Sequence, residues 1–130
     1  MKFLVPAGRF LFSLIFIIAS FGHFQAATVQ YAASQGVPFP GLLVPASGVL
    51  ALLGGISIMV GFQARFGALF LVAFLIPVTI MMHNFWMVTD PMMHQIQMTM
   101  FLKNLSMLGG ALLVAYHGAG PYSVDDMRKK

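Results

Sequence analysis

Cysteine is absent from the 130 residues, which excludes disulfides, thiolate-held zinc, iron–sulfur clusters and thiol nucleophiles within this chain. Charge is nearly as scarce. Only 8% of residues are charged, against about 25% in an ordinary soluble domain, and the three acids are Asp90, Asp125 and Asp126. No nucleophile–base–acid series, phosphate-binding loop or dinucleotide fingerprint is present, so the chain encodes no self-contained catalytic constellation. The net charge of +4 comes from basic residues scattered among apolar runs, not from a stripe on a soluble face, which argues against nucleic acid as a partner.

What is abundant is apolar side chain. Hydrophobic residues make up 59% of the sequence and the mean hydropathy is +0.89. Four apolar runs, about 5–27, 42–62, 66–86 and 98–117, each reach the roughly 20 residues that an α-helix needs to cross a bilayer. The pattern predicts an all-α protein, an integral membrane four-helix bundle forming a single membrane domain over residues 1–130, with the lipid bilayer as its first partner.

The first run follows Lys2 and carries Pro6 in its opening turn. It also resembles a signal peptide, but it is long and has no Ala-x-Ala pattern before Ala27, so an uncleaved first helix is expected. Residues 28–41 are polar and punctuated by Gly36, Pro38, Pro40 and Gly41, as in a loop or short re-entrant element. Ser47, Gly48, Ala51, Gly54 and Gly55 give the second span a small-residue face for helix packing. Pro77 lies inside the third span and frees a backbone carbonyl. Asp90-Pro91 reads as a turn, and residues 118–130 as a short tail that is amphipathic at most. Lys2, Arg9, Arg65, Arg128, Lys129 and Lys130 fall on one side of this scheme, and neither loop on the other side has a Lys or Arg. The positive-inside rule then places both termini in the cytoplasm.

The polar residues inside the spans are the candidate site. Lys103 and Asn104 stand about one turn into the fourth run, His23 and Gln25 near the outer end of the first, and His83 and Asn84 near the outer end of the third. All six are expected in one slab of the outer leaflet, with Trp86 in the aromatic belt beside it. A lysine within a span costs about 2.5–3.5 kcal/mol at the helix centre on insertion scales, and Asp90 is the favoured partner because no span contains a carboxylate. Donors from Lys103 and Asn104 and acceptors from neutral His and Gln25 suit a quinone, a small oxoanion or an acyl head group. No cofactor is encoded. The methionines near His83 and His94 read as adaptable apolar filler in preference to a copper site, and a haem between His23 and His83 is disfavoured.

Several short motifs recur in a fixed order: Gly8-Arg9, Phe21-Gly22, Gly54-Gly55, Arg65 after Gly61-Phe62, His83-Asn84-Phe85-Trp86, Phe101-Leu102-Lys103-Asn104-Leu105 and the run Gly118 to Asp125. In these the chain resembles the DoxX family of small four-helix membrane proteins. The resemblance implies a bacterial-type inner-membrane protein tied to respiratory or redox systems, as a subunit of an oxidoreductase assembly. It also implies two departures, Ala51 where many relatives carry Glu and Gln25 where they carry Lys.

Three functions stay open at this point. The first is a redox-associated subunit whose outer-leaflet pocket binds a quinone or another small molecule. The others are a non-catalytic scaffold, and a small-molecule transporter subunit that would require a homo-oligomer or other membrane subunits.

Overall fold

A bilayer offers the backbone no hydrogen-bond partners, so an apolar chain crosses it as helices that satisfy themselves. The computed structural model describes all 130 residues and contains helices and turns but no strand. Helix α1 (Leu4–Ser20) runs on through a 3₁₀ turn at Phe21–Phe24, and a short helix α2 (Ala26–Ser34) follows. Helices α3 (Pro40–Val60) and α4 (Ala64–Met82) form a hairpin. A 3₁₀ turn at Phe85–Met87 leads to the long α5 (Pro91–His117) and the terminal turn α6 (Val124–Met127). Four segments are long and apolar enough to span a membrane: Leu4–Phe24, Pro40–Val60, Ala64–Met87 and Pro91–His117.

Neighbours in sequence are neighbours in space. Helix α1 packs on α3, α3 on α4 and α4 on α5, around a core of Phe16, Ala51, Ile58, Ala68, Leu71, Phe74, Leu75 and Ala111. Lipid supplies no hydrophobic drive for helix pairing, so close packing has to supply the attraction. The α3–α4 hairpin shows how: a Cβ on Gly54 would stand 2.8 Å from the carbonyl oxygen of Gly67, and one on Gly67 would stand 2.6 Å from Ser57 Cβ. The small-residue face of α3 is therefore a packing face.

Three boundaries differ from expectation. Of the two readings for residues 28–41, a loop or a short re-entrant element, the plain loop fails, since the helix α2 occupies their first half. The fourth span begins at Pro91, not 98, because Asp90 is an N-cap whose Oδ2 accepts from Met93 N at 3.0 Å, with Pro91 in the first helical turn. Asp-Pro is a helix start here, where the sequence suggested a turn. Nor is the C-terminus a loose tail.

Residues 118–130 fold back onto the α3–α4 turn as a clasp. Both oxygens of Asp125 accept from the start of α4, from Gln63 N at 2.8 Å and Ala64 N at 3.0 Å. Asp125 N in turn donates to Gly61 O at 2.8 Å. Arg9 Nη2 donates to Tyr122 O at 2.5 Å, and Phe3 stacks on the Tyr122 ring with centroids 5.2 Å apart. This buries Arg9 to 6% exposure and leaves its Nε and Nη1 without protein partners. Gly61 fits only as glycine: its φ is +72°, and a Cβ there would overlap Arg9 Nη1 and Ser123 Cβ.

Candidate ligand cavity

At the opposite end of the bundle the helices leave a cavity of about 450 Å³. Its walls come from every part of the fold: His23 at the end of α1, Thr28, Tyr31 and Ala32 of α2, Val44, Ser47 and Leu50 of α3, Ala73, Phe74, Pro77, Val78 and Met81 of α4, then His83, and Gln97 of α5. The lining is mostly apolar and contains no Lys, Arg, Asp or Glu. Pro77 has no N–H to give to the carbonyl of Ala73, and both residues lie in the wall.

Two imidazoles supply most of the polarity. The His23 ring is seated against Gly48, where a Cβ would come within 2.7 Å of His23 Cβ, and against the Phe74 ring at 5.4 Å between centroids. Its Nδ1 lies 2.8 Å from Ser47 Oγ, and Ser47 Oγ donates to Val44 O at 2.6 Å. His83, just past the end of α4, places Nδ1 2.9 Å from Gln97 Oε1. No three His, Cys, Asp or Glu side chains gather to hold a metal.

The structure brings His23 and His83 to one cavity and leaves the other expected residues outside its lining. Gln25 is exposed and precedes α2. Asn84 and Asp90 border a separate small depression with Tyr31 and Gln97. Trp86 is 52% exposed and meets Phe85 and Phe101 edge to face. Lys103 faces outward, with Nζ 3.5 Å from Met100 Sδ and no acidic partner, so the expected Asp90–Lys103 pair is not formed. Its ammonium leans one turn toward the start of α5, as a snorkelling lysine does. The common slab does not hold either, since Gln97 is level with His83 and Lys103 lies six residues, or about 9 Å, further along α5. Asn104 turns inward instead and is buried at 4% exposure.

Ser47, Tyr31 and Gln97 carry polar groups into the cavity that sequence reasoning did not assign to it. Gln97 has a signal, a lone amide at the depth of His83, but an α5 starting at 98 leaves it outside the span, about two turns from the true start at Pro91. Ser47 was counted among the small packing residues of α3.

Four apolar spans around a mostly apolar, uncharged chamber define a small multi-pass membrane protein of the helical-bundle class. The sequence model of the SURF4 family matches residues 1–130, and the chain belongs to that family. It is similar to the inner membrane protein YqjF of Escherichia coli, 34% identical over 128 residues that cover 97% of this chain and 92% of that one. The inner membrane protein YphA of the same organism is 33% identical, with 94% and 88% covered. The ER-derived vesicles protein ERV29 of Saccharomyces cerevisiae is 33% identical over 81 residues, 62% of this chain but only 26% of that protein. No solved structure matches.

Membership in the SURF4 family corrects the resemblance to DoxX proteins. Several motifs that carried that resemblance belong to the architecture: Gly54 closes the α3–α4 crossing, and Gly61, Arg9 and the Gly118–Asp125 run make the clasp. Such features report how a small bundle is held together, and they do not separate one lineage of bundles from another. The respiratory and oxidoreductase expectations rested on the DoxX resemblance and go with it.

Proposed function

We propose that this protein is a non-catalytic inner-membrane receptor for a small apolar molecule with a polar head, taken up from the bilayer, and that its basic end faces the cytoplasm. The cavity carries this reading. Its volume of about 450 Å³ lies in the range of small-molecule sites, and it pairs apolar walls with a few polar groups from different helices. The sequence supplies the orientation, because Arg65 and Arg128–Lys130 all lie at the end opposite the cavity.

The test is chemical extraction and mass spectrometry of the protein purified in mild detergent. The wild type is expected to retain one lipid-soluble compound at near-stoichiometric level, and Ala73→Phe, which fills the chamber, to lose at least about tenfold of it. A wild type that retains nothing beyond bulk lipid would remove the proposal. A second reading, an assembly subunit, is favoured by α5, which buries only Asn104 and Ala111 of its 27 residues and leaves Ile96, Met100 and Leu105 for another helix to cover. The same purification distinguishes it, as a stoichiometric protein partner in place of a small molecule.

A further inference from the structure

We infer that the cavity selects a hydroxyl head, so that its ligand is an alcohol or phenol on an apolar body; this rests on the cavity being a ligand site at all. Ser47 has one hydroxyl proton, and two groups compete for it, the carbonyl of Val44 at 2.6 Å and His23 Nδ1 at 2.8 Å. Given to Val44 O, the proton leaves Ser47 Oγ free to accept from His23 Nδ1–H, and two bonds form. Given to His23, it leaves Val44 O without that bond, and only one forms. The first arrangement makes one hydrogen bond more and is favoured, and it makes Nε2 of neutral His23 an acceptor.

That nitrogen has no protein partner, yet it is not among the sealed polar atoms, which are Arg9 Nε, Arg9 Nη1 and Ser13 Oγ. His23 lines the cavity, so its acceptor opens there. The His83–Gln97 pair gives a result that does not depend on which way the amide is turned. With Oε1 facing His83, the imidazole presents an acceptor and the amide a free N–H; with the amide reversed, the imidazole presents N–H and the amide a free oxygen. Either way the pair offers at least one donor and one acceptor.

A hydroxyl matches this set, since its one proton goes to His23 Nε2 while its oxygen accepts from the donor of the pair. Ethers and ketones cannot donate, and they leave His23 unpaired. A carboxylate would meet that lone pair with no Lys or Arg in the lining, and an ammonium would find no carboxylate to offset its charge.

The test uses the full chain in detergent micelles, labelled with ¹⁵N at histidine, and the isomeric probes decan-1-ol and methyl nonyl ether, with decane as apolar control. Decanol is expected to shift the Nε2 resonance of His23 and to bind about tenfold more tightly than the ether after correction for partition into the micelle. Equal binding of the isomers would overturn hydroxyl selection and leave the cavity reading standing; failure of all three probes to bind would sink both. His23→Phe keeps a ring against Phe74 and removes the acceptor, and is expected to bring the preference for decanol below about threefold. If that variant does not fold, the wild-type spectrum still decides. A proton on Nδ1 of free His23 supports the inference, and a proton on Nε2 refutes it.

Discussion

At the basic end of the bundle, Asp125 and Arg9 bond to backbone and join three distant parts of the chain, while Ser123 caps its own turn. At the cavity end, His23 and His83 each bond one side chain and keep their second nitrogen open. The contrast follows from what each group can offer. A carboxylate can satisfy two N–H groups at the first turn of a helix, where the backbone has none of its own partners, so Asp125 serves as a fastener. An imidazole between helices can hold its position with one nitrogen and present the other to a ligand. One end of the molecule is fastened through charged side chains, and the other is lined by neutral polar groups.

The clasped end should therefore fail by losing the fold. Gly61→Ala puts a methyl where Arg9 and Ser123 already lie and forces a left-handed φ on a residue with a Cβ. It is expected to cost about 3 kcal/mol, read from unfolding in mixed micelles with increasing dodecyl sulfate. A loss below about 1 kcal/mol would show that the clasp can open without consequence. Asp125→Ala comes next, at about 1–2 kcal/mol, because it strips the borrowed cap from α4; Asp125→Asn is expected to restore about half, its amide oxygen still accepting one of the two N–H bonds. An Asn variant no better than Ala would mean that the negative charge beside buried Arg9 matters more than the cap.

The two ends were also unequally legible. The spans announce themselves, because runs of about 20 apolar residues have few alternatives to crossing a bilayer. The clasp has no such periodicity; its trace in the sequence is a cluster of Gly118, Gly120, Pro121 and Ser123 that reads equally well as a chain terminus, and only Asp125 reaching back more than 60 positions gives it meaning. For the cavity, His23 and His83 were visible as polar residues at the ends of two spans. Lys103 departs from expectation for a physical reason. The cost of a charge in lipid calls for a partner such as Asp90, whereas an ammonium on a flexible stem escapes that cost by leaning along its own helix, here toward Met100. Its neighbour Asn104, with a short stem, cannot, and it is Asn104 that turns inward.

The smallest expected stability effect is the sharpest test of the contrast. Gln97→Leu removes the partner of His83 Nδ1 without opening space, and both residues are only half-buried, so the freed nitrogen can find water or lipid head groups. Its effect on unfolding is expected to stay within about 0.5 kcal/mol, well under that of Asp125→Ala. Binding should move much further: the donor–acceptor pair at the cavity mouth is lost and His83 is free to rotate, so decanol affinity is expected to fall about three- to tenfold. If Gln97→Leu instead unfolds the protein as readily as Asp125→Ala, the polar groups of the cavity are structural after all, and the two ends differ in residue type but not in purpose.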